Sequence, residues 1–334
     1  METFENSVSI VPKNANLSPL GNMDQALPAI ITQNGERTAK RFLEFFTARH
    51  RNPNTRRAYY RAVNRFLVWC ENYHLEISTI EPIMVSAYIE VLMSELSDPS
   101  VKQHLAAIRE MFDYLVTGGI IPFNPAAAVR GPKHVVKTGK TPVLTPEETR
   151  MLLDSIDHHS LIGKRDRALL GVMTYSFARV GAVVQMRIQD YFTQGRNAWF
   201  VLHEKGGNFH RVPAHHKAVE YMEDYLTSAV LWDEKRTHPL FRSFGGKGRD
   251  ISDRSLFTTD VLRMIKRRAK QVGLSPGTCC HTFRATGITA YMASPGASLE
   301  KAAQIANHAS TRTTQIYNRN DDEVNRAEIE RILI

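Results

Sequence analysis

The chain has 334 residues, enough for two ordinary domains of about 100–200 residues each. With 43% hydrophobic and 23% charged residues it can build substantial cores, which argues against long disorder. Lys and Arg number 43 against 34 Asp and Glu, a net charge of +9 with pI near 9.5, so a polyanion such as nucleic acid is the first partner to consider. Charge alone does not separate that reading from a merely soluble basic protein.

The first 35 residues mix Pro, Asn, Ser and Gly without sustained periodicity, and residues 1–37 are expected to form a flexible tail. From Thr38 the pattern turns helical. Phe42, Phe45, Phe46 and Ala48 lead a first helix, broken by Asn52-Pro53-Asn54. A second helix over 55–73 puts Val63, Phe66, Leu67 and Cys70 on one side, and further helices over 83–96 and 101–115 complete a compact helical domain at 38–129. Within it Arg57, Arg61 and Arg65 recur at i, i+4 and i+8 beside Arg56, with no acid between Glu44 and Glu71. A solvated helix face interleaves both signs, so Arg56, Arg57, Arg61 and Arg65 are candidate DNA contacts.

Residues 130–142 carry Gly, Pro and basic residues with no acid, as a linker along a DNA backbone or a merely solvated one would. The second domain, 143–334, opens with an N-cap signal: Thr145, then Pro146 at the first helical position and Glu148 completing a capping box. A helix over 165–178 follows. Trp199-Phe-Val-Leu-His203 and Phe209-His-Arg-Val-Pro213 read as strands around a Gly206-Gly207-Asn208 turn. Helices return from about Ser255, among them one with a basic run from Arg263 to Lys270 whose exposure the pattern leaves open. The fold class is therefore mainly α with a small antiparallel β-sheet.

The chemistry-bearing residues form an ordered set. Arg179 lies in Tyr175-Ser-Phe-Ala-Arg179-Val-Gly and Lys205 in His203-Glu-Lys205-Gly-Gly-Asn. His281-Thr-Phe-Arg284 follows, then His308, then Tyr317. Cleaving a phosphodiester requires cations on the non-bridging oxygens, a positioned nucleophile and a proton for the leaving oxygen. Guanidinium groups suit the first task, because their paired donors match phosphate oxygens and they keep their charge. Arg179 borders an apolar stretch at 169–177, an unlikely place for a solvated charge. His281 and Arg284 are three apart and share a helical face, so both can converge on one phosphate. A tyrosine hydroxyl titrates near about 10 and needs positive charge or a base beside it to attack. Tyr291 competes for that role, but Ile288, Ala290 and Met292 place it in a helix core.

In this order and spacing the chain resembles the tyrosine recombinase (phage integrase) family from about residue 38 onward. The resemblance implies a two-domain architecture, a helical SAM-like core-binding domain and a mixed α/β catalytic domain closing as a clamp on duplex DNA. It implies Arg179, Lys205, His281, Arg284, His308 and Tyr317 as the catalytic set. Tyr317, nine residues after His308 at the family's interval, would be the nucleophile, and Lys205 the general acid for the 5′ oxygen. The resulting 3′-phosphotyrosyl bond conserves the energy of the broken linkage, so no cofactor is expected. Implied partners are a double-stranded recombination site and a homotetramer on paired sites passing through a Holliday junction, with accessory DNA-bending proteins allowed. The chain departs from the family pattern twice. Ala182 stands where an acid commonly follows the first arginine by three residues, and Asn307 stands where Gly usually precedes the second histidine. Asparagine tolerates left-handed backbone angles.

No metal is expected, since Cys279-Cys280-His281 lacks a C-x₂₋₄-C spacing and no carboxylate cluster suits magnesium. Three cysteines, no signal-like N-terminus and no apolar run of about 20 residues suggest a soluble cytoplasmic protein without a membrane role, and the resemblance implies that it is bacterial or phage-encoded. The rivals are a type IB topoisomerase and a catalytically silent DNA-binding regulator on the same scaffold. The final segment, 321–334, has a short apolar side at Val324, Ala327, Ile329, Ile332 and Leu333. It is expected to dock on its own domain or, by the resemblance, on a neighbouring protomer.

Overall fold

The structure is a computed structural model that describes residues 27–133, 139–204, 207–245 and 250–317. It divides into two compact units, Met1–Val135 and Val136–Ile334. Among the described residues no helix is long and apolar enough to cross a membrane. The expected docking segment and Lys205 lie outside the described residues.

The first unit is all helical: α1 (Ala29–Thr32), α2 (Glu36–Glu44), α3 (Pro53–Asn72), α4 (Pro82–Glu95) and α5 (Asp98–Thr117). A π-helical turn, Phe45–Arg49, continues α2. The expected break at Asn52-Pro53 is also a start signal. The Asn52 side chain caps the amide of Asn54 at 2.9 Å while Pro53 takes the first helical position, which has no donor to lose. Phe42, Phe45 and Phe46 interlock with Tyr60 and Phe66 of α3 and with Phe112 of α5 to form the core. The expected tail is corrected at its end. Residues 29–32 and 36–37 are helical and 33–34 form a turn, and Ile30 and Ile31 are buried in this core. Four residues are too few to show a period, and α1 owes its helix to burial against its neighbours.

In the second unit, Thr145 caps α6 (Pro146–Asp154) with the reciprocal Glu148 bond that the sequence predicts. Helix α7 (Leu161–Tyr175) is buried along most of its length and is the centre of the core. It starts four residues before the expected helix, because Ser160 caps it, and stops three residues short of 178. Phe177 has φ 53°, a left-handed angle that a bulky side chain adopts only under constraint. Then come α8 (Val180–Val184) and a three-stranded antiparallel sheet in the order β1 (Tyr191–Gln194), β2 (Asn197–His203), β3 (Phe209–Pro213). Phe200 pairs with both Tyr191 and Val212, so the inward side chains of all three strands meet in the core. The Glu204 amide donates to Asn208 O at 2.8 Å and closes the β2–β3 hairpin.

Helix α9 (His216–Ser228) packs on α7, followed by a second hairpin, β4 (Arg242–Gly245) with β5 (Asp250–Ser255). That hairpin had no sequence signal, since its strands are largely polar. Helices α10 (Thr258–Gln271), α11 (Cys280–Met292), α12 (Leu299–Ile305) and α13 (Thr311–Gln315) complete the unit. Helix α11 approaches α7 closely because residue 287 is Gly. A Cβ there would stand 2.1 Å from Thr174 O and 2.8 Å from the Phe177 ring.

Candidate active site

Five of the six expected catalytic residues are described, and all five lie in the second unit, where they interact directly or electrostatically. Arg284, on α11, is 1% exposed. Its guanidinium donates to Phe177 O, to Ala306 O at 2.7 Å and to His308 Nε2 at 2.6 Å. The strained Phe177 thus presents its carbonyl to the arginine. Arg284 Nε is buried and has no hydrogen-bond partner among the described residues. Burial and the nearby Arg179 lower the Arg284 pKa to about 10, opposed by Tyr317 and Glu204.

An arginine can only donate, so His308 Nε2 accepts, and its Nδ1 carries the proton donated to Thr314 Oγ1 at 2.8 Å. Burial first, then Arg284 and Arg179, push the His308 pKa down to about 4, so the ring is neutral. Asn307 just before it has φ 49°, the left-handed angle for which asparagine stands in for glycine.

His281 is the second residue of α11, one turn from Arg284. Its Nε2 lies 2.6 Å from the Tyr317 hydroxyl. Desolvation, then the charges of Arg284 and Arg179, lower its pKa below the ordinary value. A neutral imidazole here can accept the tyrosine proton. Tyr317 is buried, with its ring stacked against His308 at 6.1 Å and its carbonyl accepting from Thr289 Oγ1 at 3.1 Å. Tyr291, the competing tyrosine, packs edge-on against Phe177 instead.

Arg179 is the N-cap residue of α8. Its side chain is 44% exposed rather than enclosed by the apolar stretch before it, and Nη1 lies 2.6 Å from Glu204 Oε2. Glu204, 5% exposed at its side chain, was not among the expected site residues. Two signals pointed to it: an acid directly before Lys205 in a basic site, and no acid at Ala182.

The arginine stripe of the first unit divides in the fold. Arg57 and Arg61 are exposed. Arg56 donates from Nε to Phe46 O at 3.0 Å and His50 O at 3.1 Å, holding the π-helical turn. Arg65 pairs with Glu95 of α4, an acid from another helix that the local pattern could not show. Reversing charge at Arg57→Glu with Arg61→Glu should therefore weaken duplex binding and flatten its salt dependence. The slope of log K against log salt should fall by about 0.9 for each phosphate no longer neutralised. Titrations at several salt concentrations check this, and an unchanged slope would place that face in solvent.

The basic run of α10 also divides. Arg263, Lys266, Arg267 and Lys270 are exposed, while Arg268 turns inward to Asp166 Oδ2 at 2.7 Å. Glu234, His238 and Asp253 are grouped closely enough to suggest a metal site. A cation is already among them: Arg242 Nη1 lies 3.4 Å from Glu234 Oε1 and 3.2 Å from Asp253 Oδ1.

The sequence model described as "Phage integrase family" matches residues 142–324, and that of "Phage integrase, N-terminal SAM-like domain" matches 39–119. The chain is 28% identical over 270 residues to tyrosine recombinase XerC of Thermodesulfovibrio yellowstonii, covering 79% of this chain and 85% of that protein. It is 26% identical to tyrosine recombinase XerD of Listeria innocua, covering 79% and 87%. Among solved structures it resembles the XerH site-specific recombinase bound to difH substrate, with TM-score 0.64, 18% identity and coverage of 88% and 83%. It also resembles a lambda integrase dimer bound to a COC' core site, with TM-score 0.62, 18% identity and coverage of 86% and 97%. Those structural likenesses establish the mainly helical, two-part fold with its small antiparallel sheets. With the integrase model spanning more than half of the residues, and with every described member of the site inside its bounds, the chain belongs to the phage integrase family.

Proposed function

We propose that the protein is a site-specific tyrosine recombinase that cuts and rejoins duplex DNA through a 3′-phosphotyrosyl intermediate at Tyr317. The observation that carries this reading is the Tyr317 hydroxyl, 2.6 Å from His281 Nε2 beside a buried arginine whose Nε has no partner among the described residues. In the forward step Tyr317 Oη attacks the scissile phosphorus as His281 takes its proton. Arg179 and Arg284 neutralise the charge growing on the non-bridging oxygens. His308, kept neutral by burial first and then by the charges of Arg284 and Arg179, adds a face against the tyrosine ring. The 5′ oxygen leaves with a proton, assigned by family resemblance to Lys205. Reversal by a 5′ hydroxyl from a second duplex reseals the strand without a nucleotide cofactor.

Residues 38–129 serve as the core-binding domain and 143–334 as the catalytic domain, joined by the basic segment 130–142. Four protomers on two sites would exchange strands through a Holliday junction. The curated relatives are bacterial tyrosine recombinases, which supports action on DNA in a bacterial cytoplasm. The same relatives leave the topoisomerase and the silent regulator unfavoured.

The test is a suicide duplex drawn from DNA flanking the gene, incubated with the full-length protein and run on a denaturing gel. A covalent adduct excludes a silent regulator, and dependence of strand exchange on two sites excludes a topoisomerase. Absence of any adduct across the flanking sequence would overturn the proposal. Lys205→Ala should slow cleavage of a normal phosphodiester by roughly 10²–10⁴-fold, the range for loss of a general acid. A substrate with sulfur at the bridging 5′ position has a better leaving group and should be cut by variant and wild type at near-equal rates. A variant equally slow on both substrates would remove Lys205 from the acid role.

A further inference from the structure

The Arg179–Glu204 pair is not an ordinary surface ion pair. The acid is the interior partner, 5% exposed, while the arginine is open at 44%. A carboxylate buried in a cationic site is costly unless it is paired, and it repels an incoming phosphate, so its presence calls for a role. Arg179 needs holding. It caps α8 through its backbone, its side chain is long and half free, and residue 182, one turn further along, is a buried Ala with nothing to offer a guanidinium. Ordering such a side chain in the transition state costs rotamer entropy that a standing partner removes beforehand.

Glu204 also sits at a junction. Its amide closes the β2–β3 hairpin on Asn208 O at 2.8 Å, and the next residue in the chain is Lys205. One residue therefore joins the guanidinium at the start of α8 to the bond that closes the β2–β3 hairpin. Its charge reaches further, opposing the loss of charge that burial and Arg179 impose on Arg284.

We propose that Glu204 is a positioning residue of the cleavage site, holding the Arg179 guanidinium in its phosphate-binding orientation in place of an acid at residue 182. This rests on the recombinase reading above. Glu204 does not touch the reacting atoms; it acts through Arg179. The carboxylate takes one edge of the fork and leaves the remaining donors for a non-bridging oxygen.

The experiment uses the full-length protein in single-turnover cleavage of a suicide half-site, with wild type run alongside. Glu204→Gln keeps the shape and removes the charge. Its rate of covalent adduct formation should fall roughly 10²-fold, as expected for a misplaced catalytic group, while half-site affinity stays unchanged. Glu204→Asp keeps the charge on a shorter stem and should be faster than Glu204→Gln. On a substrate whose scissile phosphate carries methyl in place of one non-bridging oxygen, the anion that Arg179 neutralises is gone. There Glu204→Gln should match wild type.

A Gln variant that cleaves the phosphodiester at the wild-type rate overturns the proposal. So does one that is equally slowed on both substrates, one that loses half-site binding, or an Asp variant no faster than Gln. If wild type itself forms no adduct, it is the recombinase reading that fails.

Discussion

Tyr317→Phe should bind its half-site with wild-type affinity and form no covalent complex. The change removes the attacking oxygen and little else. The ring keeps its place against His308, and the backbone bonds from Tyr317 N to Thr314 O at 2.9 Å and from Thr289 Oγ1 to Tyr317 O remain. One hydrogen bond to His281 is lost, worth about 1 kcal/mol in stability. Cleavage should fall to background, a loss on the order of 10⁶-fold as for removal of other enzymic nucleophiles. Tyr291→Phe is the control, because Tyr291 packs on Phe177 and should leave cleavage intact. A denaturing gel with radiolabelled half-site reads both variants. An adduct with Tyr317→Phe would end the nucleophile assignment.

Asp166→Ala should cause a large loss of stability in the second unit. Asp166 is wholly buried on α7 and receives Arg165 at 3.1 and 2.6 Å and Arg268 of α10 at 2.7 Å. Arg165 in turn donates to Arg242 O at 2.9 Å, so the acid joins α7, α10 and the β4 strand. Its removal leaves two largely buried guanidinium groups without their counter-charge. Breaking a buried pair by deleting one partner costs about 3–5 kcal/mol, which lowers Tm on the order of 10 °C for a unit of this size. Asp166→Asn retains acceptors for part of the network and should lose less. Thermal unfolding followed by circular dichroism decides the matter, and a loss below about 1 kcal/mol would show that the arginines find other partners.

Asp166 also marks the limit of what the chain discloses locally. In Lys164-Arg165-Asp166 it reads as a charged helix start, where an acid favours the N-terminal dipole. In the fold it lies inside the helix and faces a residue 102 positions away. The pairing of Glu204 with Arg179 is hidden for the same reason, since the two lie 25 residues apart and no local spacing joins them. The second hairpin leaves no trace in the pattern because Asp250–Ser255 is largely polar and does not alternate. The arginine stripe looked uncompensated because Glu95 belongs to a different helix from Arg65.

By itself the sequence determined the Thr145 capping box, the β2–β3 hairpin, the shared face of His281 and Arg284, and the order of the six catalytic candidates. These depend on residues a few positions apart, where backbone geometry alone dictates what meets what. The fold decided the rest: that His281 rather than His308 stands at hydrogen-bond distance from the Tyr317 hydroxyl, that Arg284 is braced by the carbonyl of a strained Phe177 107 residues away, and that Arg179 pairs with Glu204. Those partnerships form only when a common core brings distant segments together, and burial then makes each unpaired polar group costly enough to enforce them.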